Sequence, residues 1–139
     1  MEKLFIDTNI VLDLLAKREG FYREAQELFT LAEERKALLF ISSLSFVTTH
    51  YILSKHLNAN EARKTLLKFK TLVTVLPLDD KILDLALSSD FNDFEDAIQY
   101  YIALINKTDI IITRNKKDFR GAELPVLNAR EYLNRSNNY

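Results

Sequence analysis

Apolar residues along this chain fall into two rhythms. Leu4–Ile6, Leu38–Ile41, Leu72–Leu76, Asp109–Thr113 and Leu124–Leu127 are short, largely apolar runs of the length and composition of buried strands. Between them lie longer stretches with helical spacing. Asn9–Lys17 carries Ile10, Val11, Leu14 and Leu15 on one face, and Tyr22–Lys36 carries Ala25, Leu28, Phe29 and Ala32. Leu44–His56, Glu61–Lys70, Lys81–Leu87, Asp93–Ile105 and Arg130–Asn134 complete the predicted helices. Ser42-Ser43 and Asp79 or Asp80 are N-cap residues by type, and Pro77 closes the third strand. Acids in the first turn of Asp93–Ile105 favour a helix start there through the helix dipole.

Strands separated by helices imply βαβ units, and therefore a central, largely parallel sheet flanked by helices in an α/β fold. No linker, repeat or low-complexity segment interrupts the pattern, so residues 1–139 are expected to form a single domain. In such sheets ligands bind beyond the carboxyl ends of the strands. Three acids occupy positions of that kind. Asp7 ends the first strand, Asp96 lies in the cluster Asp90, Asp93, Glu95, Asp96, and Asp118 follows the fourth strand across Arg114-Asn115-Lys116-Lys117. Asp7 and Asp118 can meet only if the first and fourth strands are neighbours. Acids gathered without cationic partners repel one another, and a shared divalent cation is the usual reason to collect them.

Composition narrows the chemistry. Cys is absent, which excludes a disulfide scaffold, an iron–sulfur site and thiol catalysis. His50 and His56 are six residues apart, unlike the i,i+4 spacing of a helical zinc pair, and surface placement is expected for both. Net charge is −1, so a globally basic nucleic-acid binder is excluded. Arg114, Lys116, Lys117 and Arg120 nevertheless form a local basic stripe beside Asp118, suited to phosphates. The opening apolar stretch is broken by Asp7 and Asp13, and no run approaches the roughly 20 apolar residues of a membrane span. A cytoplasmic location without membrane association is expected. Asp13, nearly two turns past Asp7, reads as a solvated or peripheral group.

The segments Leu4-Phe5-Ile6-Asp7-Thr8-Asn9, Asp93-Phe94-Glu95-Asp96-Ala97-Ile98-Gln99 and Ile111-Ile112-Thr113-Arg114-Asn115-Lys116-Lys117-Asp118-Phe119 closely resemble the PIN-domain family, in particular VapC-type toxin ribonucleases. The resemblance runs over nearly the whole chain in the family's order. It implies a PIN-like fold binding Mg²⁺ or Mn²⁺, cleavage of RNA within the chain, a small antitoxin partner and a homodimer. By position it makes Asp7, Asp96 and Asp118 the catalytic and metal-binding acids. Thr8 and Asn9 match the polar pair after the first acid, Thr113 and Asn115 the polar residues of the last motif, and Asp93 is a further acid near the centre.

One departure stands out. Relatives usually carry a Glu in the pattern Ile-Ser-x-x-Ser-x-x-Glu, whereas Ile41-Ser42-Ser43-Leu44-Ser45-Phe46-Val47 leads here to Thr48, read as helix lining at the edge of the site. No acid lies between Arg35 and Asn60. The alternative to an enzyme is thus a catalytically weakened RNA-binding module of the same fold. A haloacid-dehalogenase-like phosphatase, which needs Asp-x-Asp after the first strand, is disfavoured because Asn9 stands at the second position.

Overall fold

The computed structural model describes residues 1–137, with side-chain placement through residue 135. Five strands, β1 (Lys3–Ile6), β2 (Leu38–Ser42), β3 (Thr74–Leu76), β4 (Ile110–Ile112) and β5 (Val126–Leu127), form one sheet in the order β3-β2-β1-β4-β5. Every neighbouring pair is parallel. The expected juxtaposition of the first and fourth strands is present, with Phe5 opposite Ile111 and Ile6 opposite Ile112.

Seven α-helices among the described residues surround the sheet: α1 (Thr8–Leu15), α2 (Tyr22–Glu33), α3 (Ser43–His56), α4 (Ala59–Lys70), α5 (Asp80–Leu87), α6 (Phe94–Ile105) and α7 (Ala129–Asn137). Strand side chains alternate between two cores. Leu4, Ile6, Ile110 and Ile112 pack with residues of α1, α2, α4 and α7, while Phe5 and Ile111 pack with α5 and α6. With both faces covered, β4 is buried at all three positions, which is why it reads as an unbroken Ile run. None of these helices is long and apolar enough to cross a membrane.

Several boundaries differ from those read in the sequence. The second helix stops at Glu33 rather than Lys36 because Arg35 adopts φ 57°. Lys36 N–H then donates to Leu31 O (2.8 Å) and Arg35 N–H to Ala32 O (3.1 Å), the paired bonds that close a helix on a left-handed residue. Lys17 (φ 50°) and Lys107 (φ 55°) end α1 and α6 in the same way. Gly is the usual residue for this role, and a basic residue leaves no such signal. Leu72 and Val73 belong to the turn after α4, and Leu124 lies before β5, so both strands are shorter than their apolar runs. The N-caps Ser42 and Asp79 are present, accepting from Ser45 N–H (3.1 Å) and Ile82 N–H (3.0 Å).

Phe5 is fully buried at the centre of one core. Phe5→Ala should lower the unfolding free energy by about 3–5 kcal/mol. Leu67→Ala, at a residue 70% exposed, should change it by less than about 0.5 kcal/mol. Urea unfolding of both variants checks the assignment of core and surface.

Candidate active site

The sheet order reverses at β1: β2 and β3 extend to one side, β4 and β5 to the other. From there α1 leaves β1 toward one core and the 3₁₀ turn Lys116–Phe119 leaves β4 toward the other, the kind of divergence that opens a crevice at the strands' carboxyl ends. Asp7 sits at its base. Its N–H continues the ladder by donating to Ile112 O (3.0 Å), and its side chain caps α1 by accepting from Thr8 N–H (2.8 Å).

The carboxylate of Asp7 is only 8% exposed and receives four donors. Oδ1 accepts from Thr8 N–H and from Gln99 Nε2 (3.3 Å). Oδ2 accepts from Thr113 Oγ1 (2.8 Å) and Asn9 Nδ2 (3.5 Å). Burial raises the pKa of Asp7, the bonds from Thr113, Thr8 and Gln99 lower it, the charge of Asp118 raises it, and the net shift is upward.

Asp96 lies in the first turn of α6, with its N–H capped by Asp93 Oδ2 (3.1 Å). Desolvation, followed by repulsion from Asp93, Asp7 and Asp118, pushes its carboxyl up to about 7. Asp118 is exposed in the 3₁₀ turn Lys116–Phe119. The acids predicted from the sequence therefore influence one another through space, although they come from opposite ends of the chain. Asp93, Asp96 and Asp118 line an open groove of about 780 Å³ together with Lys117, Arg120 and Tyr101. Asp7 is not part of its wall.

The basic stripe is divided. Arg114 forms a bidentate pair with Asp13 (Nε–Oδ2 2.8 Å, NH2–Oδ1 3.0 Å) and its guanidinium lies 3.9 Å from the centre of the Phe21 ring. Asp13 is thus no solvated group: it is 1% exposed and ties α1 to the segment after β4. Lys116 pairs with Glu131 (2.9 Å). Only Lys117 and Arg120 of the four face the groove.

Among the polar residues singled out in the sequence, Thr113 is fully buried between Asp7, Asn9 Nδ2 (3.2 Å) and Asn115 N–H (3.1 Å). Asn9 also accepts from Arg114 N–H (3.4 Å), and Asn115 is exposed at the start of the 3₁₀ turn. Thr48 is half-buried on α3, one turn beyond Ser45, and makes none of the bonds around Asp7. His50 is half-buried with Nε2 shielded from solvent, against the expectation of a surface residue, while His56 is exposed.

Two members of the centre, Gln99 and Ser45, are absent from the candidates that the sequence suggests. Gln99 is 2% exposed, and Nε2 approaches Ser45 Oγ (2.8 Å) and Thr8 Oγ1 (3.2 Å) as well as Asp7. Ser45 is fully buried and bonds Thr8 Oγ1 (2.6 Å) and Ser42 Oγ (3.1 Å). The one local signal is Gln99 itself, a polar residue between Ala97-Ile98 and Tyr100 in an otherwise apolar helix.

Oxygen donors dominate this centre, as a hard dication such as Mg²⁺ or Mn²⁺ requires. Buried Asp7, crowded Asp96 and the unpartnered, buried Oε1 of Gln99 are each short of positive charge or a donor. Among the described residues no three His, Asp or Glu side chains converge as a ready-made cage. The residues fit a partly hydrated ion held by two carboxylates and neutral oxygens.

Comparison with known proteins identifies the family and the fold. A family model described as PIN domain matches residues 3–117. The chain is 25% identical over 141 residues to Ribonuclease VapC1 of Aquifex aeolicus (strain VF5), covering 98% of this chain and 96% of the relative. Among solved structures, a toxin–antitoxin complex from Klebsiella pneumoniae is 24% identical with a TM-score of 0.68, over 91% of this chain and 97% of that one. VapBC2 from Rickettsia felis, bound to a DNA fragment from its promoter, is 19% identical with a TM-score of 0.65, over 90% and 96%. Mycobacterium tuberculosis VapC20, described as a sarcin-ricin loop cleaving toxin, is 15% identical with a TM-score of 0.62, over 78% and 86%.

The pKa of Asp96 carries a stability consequence. Without metal, the folded chain keeps this proton up to about pH 7, while the unfolded chain releases it near 3.8. The contribution is complete below 3.8, declines as pH rises, and is gone above about 7. Asp96 is half-exposed, so solvent screening limits the effect to about 1 kcal/mol. Urea unfolding in EDTA should therefore show wild type losing stability relative to Asp96→Asn between pH 4 and pH 7. Parallel curves would mean that Asp96 titrates as an ordinary carboxylate.

Proposed function

The chain belongs to the PIN domain family, and from that membership together with the geometry of its acids we propose that it is a Mg²⁺- or Mn²⁺-dependent endoribonuclease of the VapC type. It acts in the cytoplasm as the toxin of a toxin–antitoxin pair, as a homodimer, and is restrained by a small antitoxin protein. The observation that carries the reading is the gathering of Asp7, Asp96 and Asp118 about the sheet's switch point, where burial and, after it, neighbouring acids raise the pKa of Asp7 and of Asp96. Similarity to Ribonuclease VapC1 supports RNA as the substrate, and the likeness to toxin–antitoxin complexes supports the partner.

Asp7 and Asp96 would hold the cation directly, with Asp118 on the groove side. A bound dication supplies Lewis-acid polarisation of the scissile phosphate and eases deprotonation of the attacking water. The chain's own residues do the rest. Thr8, Thr113, Asn9 and Gln99 fix both oxygens of Asp7, so its orientation costs no rearrangement when the ion arrives. Asp96, in its ionised form, would be the second carboxylate on the ion. Lys117 and Arg120 hold backbone phosphates along the groove, while Arg114 and Lys116 brace the segment that carries Asp118.

The absence of an acid at Thr48, and of three converging carboxylates among the described residues, favours one second reading: the same fold binding RNA with cleavage weakened or lost. A mixed RNA pool incubated with Mg²⁺, Mn²⁺ or EDTA separates the two. A nuclease cleaves with metal, stops in EDTA, and loses activity by orders of magnitude in Asp7→Asn. Uncut RNA under every condition supports the module. For RNA binding, Lys117→Ala with Arg120→Ala should flatten the slope of log affinity against log salt by about 1.4, the value for two single-strand phosphates no longer neutralised. An unchanged slope would move the RNA path away from this groove.

A further inference from the structure

Two tyrosines follow one another on α6, and the fold uses them differently. Tyr100 is buried, and its hydroxyl accepts from Glu123 N–H (3.2 Å), which ties the chain before β5 to the helix. Tyr101 is only half-buried and lies on the wall of the groove that carries Lys117, Arg120, Asp96 and Asp118. Its ring meets that of Tyr100 at 69° (centroids 5.1 Å apart) and that of Phe91 at 65° (6.2 Å). Both are edge-to-face arrangements. They hold the Tyr101 ring in place without laying another ring flat upon it.

The charges around this ring narrow what it can receive. Lys117 and Arg120 stand in the groove with Tyr101 and form no ion pair among the described residues. Cations beside an aromatic wall are the combination that holds single-stranded nucleic acid, the cations taking phosphates and the ring taking a base. The acids of the same wall repel phosphate, whereas a neutral base meets no such repulsion. Asp96 and Tyr101 are five residues apart on α6, about 7.5 Å along the helix axis. Because both line one groove, a strand whose phosphate sits at the acids passes the ring within a nucleotide or two. Only an unpaired base can offer its face there, since paired bases keep theirs in the stack.

Resting on the reading of this groove as an RNA path, we propose that Tyr101 is the platform of a nucleobase subsite. An unpaired base of the RNA stacks on its ring while Lys117 and Arg120 hold the flanking phosphates. Phe91 and Tyr100 serve this subsite through Tyr101, by fixing the ring against which the base is laid.

The test separates base from phosphate. Wild type, Tyr101→Ala, Tyr101→Trp and the double variant Lys117→Ala with Arg120→Ala are compared at low salt in EDTA, each checked for folding by circular dichroism. The ligands are an adenosine dodecamer and an abasic dodecamer carrying the same phosphates, so repulsion from the acids cancels between them. Tyr101→Ala should weaken binding of the adenosine dodecamer about 5- to 140-fold and leave the abasic one unchanged. The double variant should weaken both. The chain contains no Trp, so Tyr101→Trp places a sole indole at the subsite. Its emission should be quenched by the adenosine dodecamer and not by the abasic one. An equal loss on both ligands in Tyr101→Ala, or no loss on either, overturns the base subsite while leaving the phosphate groove standing. Wild type that binds neither dodecamer overturns the RNA reading of the groove together with it. A Tyr101→Ala variant that binds both dodecamers normally but loses affinity for a hexa-arginine peptide assigns the ring to a cationic protein partner and also refutes the proposal. If Tyr101→Ala does not fold, quenching of the indole by the adenosine dodecamer alone decides for the subsite, and unchanged emission decides against it.

Discussion

Burying the carboxylate of Asp7 is the constraint around which this molecule is organised. An ionised group taken out of water needs compensation from nearby donors or opposite charge. Here it comes from the start of α1 (Thr8 and Asn9), the middle of α6 (Gln99) and the end of β4 (Thr113). Those elements can meet only if β4 lies beside β1, in the register that brings Asp7 N–H to Ile112 O. The sheet order and the polar centre are two aspects of one arrangement. The apolar residues on either side, Ile6 and Ile112 toward one core and Phe5 and Ile111 toward the other, hold the strands that deliver it.

A second consequence concerns the positive charges. A stripe of four basic residues beside three acids could collapse onto them and neutralise the site. The fold prevents this by assigning partners elsewhere. Asp13 takes Arg114 in a largely buried bidentate pair, and Glu131 takes Lys116. Glu131 also accepts from Asn128 N–H (3.0 Å), and its pKa is lowered by that bond first and by Lys116 next. Lys117 and Arg120 remain on the groove without an ion pair among the described residues. Lys117 and Arg120 thus share the groove with Asp93, Asp96 and Asp118 without neutralising them through an ion pair.

Much of the fold is legible in the sequence because its determinants are local. The Ile110-Ile111-Ile112 run and the helical spacing of Ala25, Leu28 and Phe29 identify their elements unaided. Ends are harder where they depend on backbone conformation: Arg35, Lys17 and Lys107 terminate helices in the left-handed region without the Gly that would announce it. The three acids are visible as strand-end and helix-start residues. Asp13 reads wrongly as a solvated group because nothing local reveals a partner 101 residues away. Gln99 escapes notice for a related reason. Its neighbours Ile98 and Tyr100 mark a core helix, and only the approach of Thr8 and Ser45 from distant segments makes the amide part of the centre.

The composition of α3 makes sense in the same terms. That helix and its N-cap bring Ser42, Ser45 and Thr49 into buried positions, and Thr49 Oγ1 has no partner among the described residues. A hydroxyl costs less to bury than a carboxylate, and it can donate or accept as its surroundings require. An additional acid beside Asp7 and Asp96 would strengthen the hold on a dication but also deepen the repulsion whenever the ion is absent. Burial, with repulsion from Asp93, Asp7 and Asp118 added to it, already pushes the Asp96 carboxyl up to about 7. A centre lined with hydroxyls and one carboxamide adds no further charge to the repulsion among these acids. The neutral lining of α3 and the crowded acids of the groove are therefore complementary parts of one electrostatic balance.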